Sequence, residues 1–120
     1  MRNDRKNIVV EKSFRVGLQV IDYSEQLTQL KKFAMANQIF RSGTSIGANI
    51  REAQNTESKK DFIHKMKVSA KEADETAFFP ALCQESAHYP DPGELVGQVQ
   101  EIILILSKII ATSKNNTHDE

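Results

Sequence analysis

The chain has one cysteine, no tryptophan, three prolines and five glycines in 120 residues. A single cysteine cannot close an intramolecular disulfide, so a stapled secreted scaffold is excluded. No apolar run approaches the roughly 20 residues that span a bilayer. The start, MRNDRKNIVVEKS, is basic, but only Ile8-Val9-Val10 is apolar there, too short for a signal-peptide core. A cytoplasmic protein with no membrane partner is the expectation. Scarce proline and glycine leave few points at which a helix must break.

What is present is an ordinary soluble balance, 39% hydrophobic and 27% charged. At this length a chain buries about two-thirds of its unfolded surface, enough for one core and no second. The whole of 1–120 therefore reads as a single domain, with an ordered core over about 8–112 and a polar, fraying tail from Lys114. The formal net charge is zero. Residues 1–71 nevertheless carry 14 Lys/Arg against 7 Asp/Glu, and residues 72–120 carry 2 against 9. Basic and acidic faces that satisfy each other, within or between subunits, account for this asymmetry. A uniformly basic nucleic-acid coat does not fit a sequence pI near 6.8.

Four helical patterns follow one another. From Phe14 to Lys32, Phe14, Leu18 and Ile21 form one line, with Val16, Val20, Tyr23, Leu27 and Leu30 beside it. Spacings of three and four mark a broad helical stripe, and Ser13 is the expected N-cap. A second helix, Ala36 to about Thr56, carries Ile39, Gly43, Ile46, Ile50 and Ala53 in the alternation of bundle packing. Gly43 and Gly47 lie one turn apart, each costing up to about 1 kcal/mol in a helix interior. Close approach of a neighbouring backbone would offset that cost; a flexible loop over RSGTSIGAN is the alternative.

The third helix starts after Ser58, an N-cap with Asp61 in the first turn. Phe62, Met66, Ala70, Ala73 and Ala77 carry it to about Ala87, roughly 45 Å. Pro80 inside it predicts a kink, or else a stop near Phe78 and a second short helix. His88-Tyr89-Pro90-Asp91-Pro92-Gly93 is a loop. Leu95, Val99, Ile102, Leu106 and Ile109 then form one seam of a fourth helix, with Val96, Ile103 and Ile110 as a second. A strand over Ile102–Leu106 would have no partner strand. Two apolar seams predict one face left for an interface, and so homo-oligomerisation.

Catalytic constellations are scarce. Asp61-x-x-His64 and Glu85-x-x-His88 resemble the pairs of di-iron bundles, but 24 residues separate them on one helix, about 36 Å. His118 falls in the tail. Cys83 lacks an orienting acid and reads as a small core residue. Gly43 and Gly47 precede no Gly-Lys-Ser/Thr ending, so no phosphate loop is formed. The expectation is no catalytic, metal or cofactor site, and no enzyme.

Polar residues in the second helix suggest structure instead. Ser42, Ser45 and Asn49 recur beside the apolar seam and would line a buried polar strip between helices. Antiparallel pairing across the turn near Glu57 sets Arg41 opposite Glu72 or Glu75, where an Arg–carboxylate bridge would lock the second helix to the third. Arg51 together with Lys59, Lys60, Lys67 and Lys71 are the candidates for contact with RNA or DNA phosphates; a solvated charged face is the plainer alternative for these lysines and Lys65. No aromatic residues interleave with the lysines, which argues against base-specific recognition of single strands.

The stretch from Arg41 to Glu52 reads RS-x-x-SI-x-x-NI-x-E: Arg41, Ser42, Ser45, Ile46, Asn49, Ile50 and Glu52. It resembles the core signature of the four-helix-bundle family of 23S rRNA intervening-sequence proteins, also labelled S23 ribosomal proteins. Lys60-Asp61-Phe62, the block Lys71 to Thr76 containing Glu72 and Glu75, and the opening Glu11-Lys12-Ser13-Phe14 match further blocks, so the resemblance covers about residues 8–112. It implies an all-α, antiparallel up-and-down four-helix bundle that assembles as a homopentamer, with no catalytic set. Some relatives are encoded within intervening sequences of bacterial 23S rRNA genes. Another branch resembles the accessory protein of diversity-generating retroelements, which joins a reverse transcriptase and binds nucleic acid. Relatives commonly carry glycine where this chain has Ala53, predicting that the second helix continues there. The expected role is a non-catalytic assembly protein, a ring-like homo-oligomer associating with RNA or DNA; the alternative is an adaptor for a nucleic-acid enzyme such as a reverse transcriptase.

Overall fold

A computed structural model describes residues 7–115. Four helices follow in order: α1 (Ile8–Gln29), α2 (Phe33–Ala53), α3 (Lys59–Glu85) and α4 (Leu95–Asn115). Each packs on its sequence neighbours, and α4 closes the ring against α1, in a body 52 × 22 × 21 Å. Side-chain register shows the alternating direction. Lys12 meets Glu101 while Tyr23 reaches back to Pro90, and Glu52 meets Lys65 while Arg41 meets Glu72 and Glu75. The fold is the antiparallel up-and-down bundle that the periodicity predicts.

Helix α1 begins two turns earlier than its apolar pattern suggests. Asn7 is the N-cap, its Oδ1 accepting from the Val10 amide at 3.4 Å. Its Nδ2 also donates to Gln54 Oε1 at 2.9 Å, tying the start of α1 to the end of α2. Burial of Val9 in the core overrides the weak helix propensity of Ile8-Val9-Val10. Ser13 is therefore no cap but a buried residue in the helix, donating to the Val10 carbonyl. The far end closes tightly: Lys31 takes a left-handed φ of 63°, and the Lys32 amide donates back to the Leu27 carbonyl.

The second helix starts at Phe33 and is continuous through Gly43 and Gly47, which excludes the loop alternative. It ends at Ala53 instead of continuing. The amides of Gln54, Asn55 and Thr56 each bond three residues back, a tightening that uncoils the helix into the turn.

Ser58 caps α3, accepting from the Asp61 amide at 3.1 Å. Pro80 lies inside one unbroken helix, so the split alternative falls. That helix ends at Glu85, which leaves His88 in the loop and off α3. Its buried line is Met66, Ser69, Ala73, Thr76, Pro80 and Cys83. Phe62, Ala70 and Ala77 pack only partly against the core. Met66 and Ala73 thus face the centre as the spacing predicts, while Ser69, Thr76, Pro80 and Cys83 stand there in place of Phe62, Ala70 and Ala77.

Helix α4 continues through Lys114 and Asn115, which the sequence assigns to a frayed tail. The rest of the tail, with His118, lies outside the described residues. By length and composition α4 could cross a membrane, with a mean hydropathy of 1.5 over its most apolar window. Leu95, Val99, Ile102 and Leu106 instead fill the core, and Ile103, Ile105, Ile109 and Ile110 pack against it.

Candidate functional site

The signature residues of α2 build its junctions with α1 and α3. Arg41 Nη2 donates to Glu75 Oε1 at 2.6 Å, and Nη1 lies 3.3 Å from both Glu72 carboxylate oxygens. The Glu72 charge, then the Glu75 hydrogen bond, hold the guanidinium pKa above its usual value. Beneath this bridge the hydroxyls of Ser42 and Thr76 share a 2.9 Å hydrogen bond, both fully buried. One turn on, Ser69 Oγ donates to the Ile46 carbonyl at 2.9 Å. Ile46 and Ile50 are fully buried in the core beside them. Glu52 pairs with Lys65 at 2.7 Å.

The polar strip expected from Ser42, Ser45 and Asn49 is only partly realised. Ser45 Oγ donates to the Arg41 carbonyl and Asn49 Nδ2 to the Ser45 carbonyl, both inside α2. Ser69 and Thr76 are the true partners across the junction. Their signal was a hydroxyl on the α3 seam, at positions that an aliphatic template passes over.

The two glycines differ. A Cβ on Gly43 would lie 2.7 Å from Val20 Cγ1, closer than real contacts allow. A Cβ on Gly47 would meet Ser13 Oγ at 3.4 Å, an ordinary contact. Close approach of α1 to α2 therefore requires glycine at 43 and tolerates alanine at 47.

Two outward surfaces remain. The first is an apolar groove of about 290 Å³ between α1 and α2, with Val10, Phe14, Gly17, Leu18 and Ile21 on one side and Thr44, Gly47, Ala48 and Arg51 on the other. Phe14 is 68% exposed and Leu18 51%, and Phe40 of α2 is 48% exposed. The line Phe14–Leu18–Ile21, one flank of the broad stripe that the spacing describes, thus faces out. The leftover apolar surface was expected on α4, where Leu104 is the large residue left exposed, at 68%. The second seam of α4 is absorbed by its own bundle.

The second surface is basic. Lys60, Lys67 and Lys71 are exposed and fall on one side of α3. Lys67 lies within hydrogen-bonding reach of Lys114 of α4, and that contact, then their like charge, lowers its pKa. Lys114, which the sequence pattern does not single out, extends the stripe onto α4. The other candidates separate from it: Arg51 lines the α1/α2 groove, Lys59 is half-buried by the α2–α3 turn, and Lys65 is taken by Glu52. The five proposed phosphate contacts do not form one surface.

Opposite these, Tyr23 Oη donates to the Pro90 carbonyl at 2.7 Å, pinning the α3–α4 loop to α1. Burial, then the neighbouring Cys83 thiol, push the phenol pKa far above its ordinary value. Cys83 is a buried free thiol in the core. His88 and His64 are exposed. Among the described residues no three His, Cys, Asp or Glu side chains gather as metal ligands would.

These features define an all-α up-and-down bundle, joined internally by hydroxyls and an arginine–carboxylate bridge, with an apolar and a basic face turned outward. The chain belongs to the 23S rRNA-intervening sequence protein family, whose model matches residues 5–110. It is similar to a crystal structure of a protein of unknown function from the S23 ribosomal protein family of Bacteroides thetaiotaomicron, at 36% identity and a TM-score of 0.81. That match covers 86% of this chain and 98% of the other. No curated protein matches the chain.

Proposed function

We propose that this protein is a non-catalytic assembly unit of the cytoplasm, a four-helix bundle that forms a ring-like homo-oligomer and presents its basic α3 stripe to RNA or DNA phosphates. The observation that carries the reading is the exposed apolar face over Phe14, Leu18 and Ile21, which line one groove with Val10 and Ala48. Contiguous apolar surface of this kind on a soluble domain marks an interface. The number five rests on the family resemblance. Repetition around a ring multiplies a weak phosphate surface, since sites held together act at high effective concentration. Lys60, Lys67, Lys71 and Lys114 are the residues we assign to it.

Sedimentation equilibrium of the wild type and of Leu18→Asp tests the assembly. Wild type should sediment as a multiple of the 13.5 kDa chain, and the variant as one chain with unchanged helicity. A wild type of one chain at micromolar concentration contradicts the reading. For nucleic acid, affinity for a bare RNA oligomer should fall with salt, with a log–log slope of about −0.7 per phosphate contact on a single strand.

A second reading has its own support. The same groove could hold a helix of another protein, as amphipathic helices lie in apolar grooves. An adaptor for a nucleic-acid enzyme such as a reverse transcriptase would use it so. Capture of that enzyme by a protein that itself ignores RNA would favour this reading.

A further inference from the structure

The groove contains a glycine that its own chain does not explain. Gly17 lies in the middle of α1, where glycine costs about 1 kcal/mol against alanine. Unlike Gly43, a Cβ on Gly17 would meet nothing within 4 Å. Folding of one chain therefore imposes no need for glycine there. Gly17 lines the groove beside Phe14 and Leu18, where a missing side chain leaves backbone open to whatever packs on it.

On α4 the complementary shape is present. Leu104 projects from an outer face whose other exposed positions are Gly97, Gln100, Glu101, Ser107, Lys108 and Ala111. Gly97, too, has nothing within 4 Å of a Cβ. This face is thus a single apolar knob among short polar side chains, with small residues two turns away at either end and Lys108 as its unpaired charge among the described ion pairs. The groove also carries opposite charges near its two ends, Arg51 in its lining and Glu25 one turn beyond Ile21. One chain therefore carries a socket on α1/α2 and a matching knob on α4, on different sides of the bundle.

We propose that Leu104 of one copy seats over Gly17 in the α1/α2 groove of the next copy, with Lys108 toward Glu25, while Glu101 stays paired with Lys12 of its own chain. A contact between two different faces is heterologous, and it closes into a ring or runs on as a filament, whereas a self-complementary patch stops at a dimer. The pairing supplies the ring geometry without any property of α4 beyond its outer face. It rests on the self-assembly reading above and names the two faces that meet.

Two singly damaged chains test this. Leu18→Asp spoils the socket and keeps the knob; Leu104→Asp spoils the knob and keeps the socket. Both residues are exposed, so circular dichroism should show two folded variants. Each alone should have the mass of one chain, and an equimolar mixture should give a species of two chains and nothing larger, because only one good socket and one good knob remain. Either variant assembling like wild type, or a mixture that stays at one chain, overturns the pairing even where wild type assembles. A wild type of one chain overturns the self-assembly reading, and the pairing with it. Oxidation of a Gly17→Cys, Leu104→Cys double variant gives an independent check: it should produce a ladder of cross-linked multimers, absent from either single variant. Cross-linking of a single variant would show a symmetric contact and contradict the proposal.

Discussion

Gly43 on α2 lies against Val20 on α1 so closely that a Cβ at position 43 would sit 2.7 Å from Val20 Cγ1 and nearer still to Cγ2. The glycine hydrogen is what lets two helix backbones close over the core. Alanine is the better helix former, so the sign of Gly43→Ala is decided by the clash. The variant should lose about 1–3 kcal/mol, read from chemical denaturation, and Gly43→Leu more. Gly47→Ala should be neutral or stabilising. Adding Val20→Ala to Gly43→Ala should cost less than the two changes summed. A neutral Gly43→Ala would remove the close approach from this account.

The Tyr23–Pro90 bond makes its own forecast. Tyr23→Phe should cost about 1 kcal/mol, the usual worth of one buried hydrogen bond. The pH dependence has a definite sign. Below the ordinary phenol value of 10.0 the group is neutral in both folded and unfolded chains, and its contribution is fully present. Above it the unfolded phenol ionises while the folded one, with its raised pKa, does not. Stability should therefore fall as pH rises past 10, and Tyr23→Phe should show a shallower fall. Denaturation midpoints between pH 8 and 11, on the order of one-unit steps across the phenol value, provide the check.

Lys31 holds a left-handed φ of 63° after α1, a conformation costing a residue with a Cβ about 1–2 kcal/mol. Lys31→Gly should raise stability by about 1 kcal/mol. A fall in the melting midpoint would show that the Lys31 side chain contributes more than its backbone strain costs.

The Arg41 bridge is solvent-exposed and open to screening. Arg41→Ala should lower the melting midpoint in low salt, and the difference should shrink as ionic strength rises. Glu72→Gln or Glu75→Gln should each reproduce part of it. Equal midpoints in low salt would leave the Ser42–Thr76 and Ser69–Ile46 bonds and the Glu52–Lys65 pair as the polar ties between α2 and α3 among the described residues.

The bundle was legible because period-3.6 stripes and turn residues need no tertiary information, and Arg41 could be set opposite Glu72 and Glu75 by counting across a tight turn. The errors share a physical cause. Asn7 was missed because β-branched Ile8, Val9 and Val10 are poor helix formers until Val9 is buried. Phe14, Leu18 and Ile21 have the spacing of a core stripe, yet only the closure of the bundle decides which flank of a wide stripe stays outside. The same closure absorbs Ile103 and Ile110 and leaves Leu104 out. Ser69 and Thr76 were overlooked because hydroxyls on a seam look like interruptions until their partners on α2 are in place. Lys114 joined the basic stripe only through the packing of α4 on α3.

The central claim is self-assembly, and native mass spectrometry of the untagged protein at low salt tests it most directly. A mass of five chains, collapsing to one with Leu18→Asp, is the predicted result. A wild type at one chain would contradict it, and the apolar groove would then belong to a different protein.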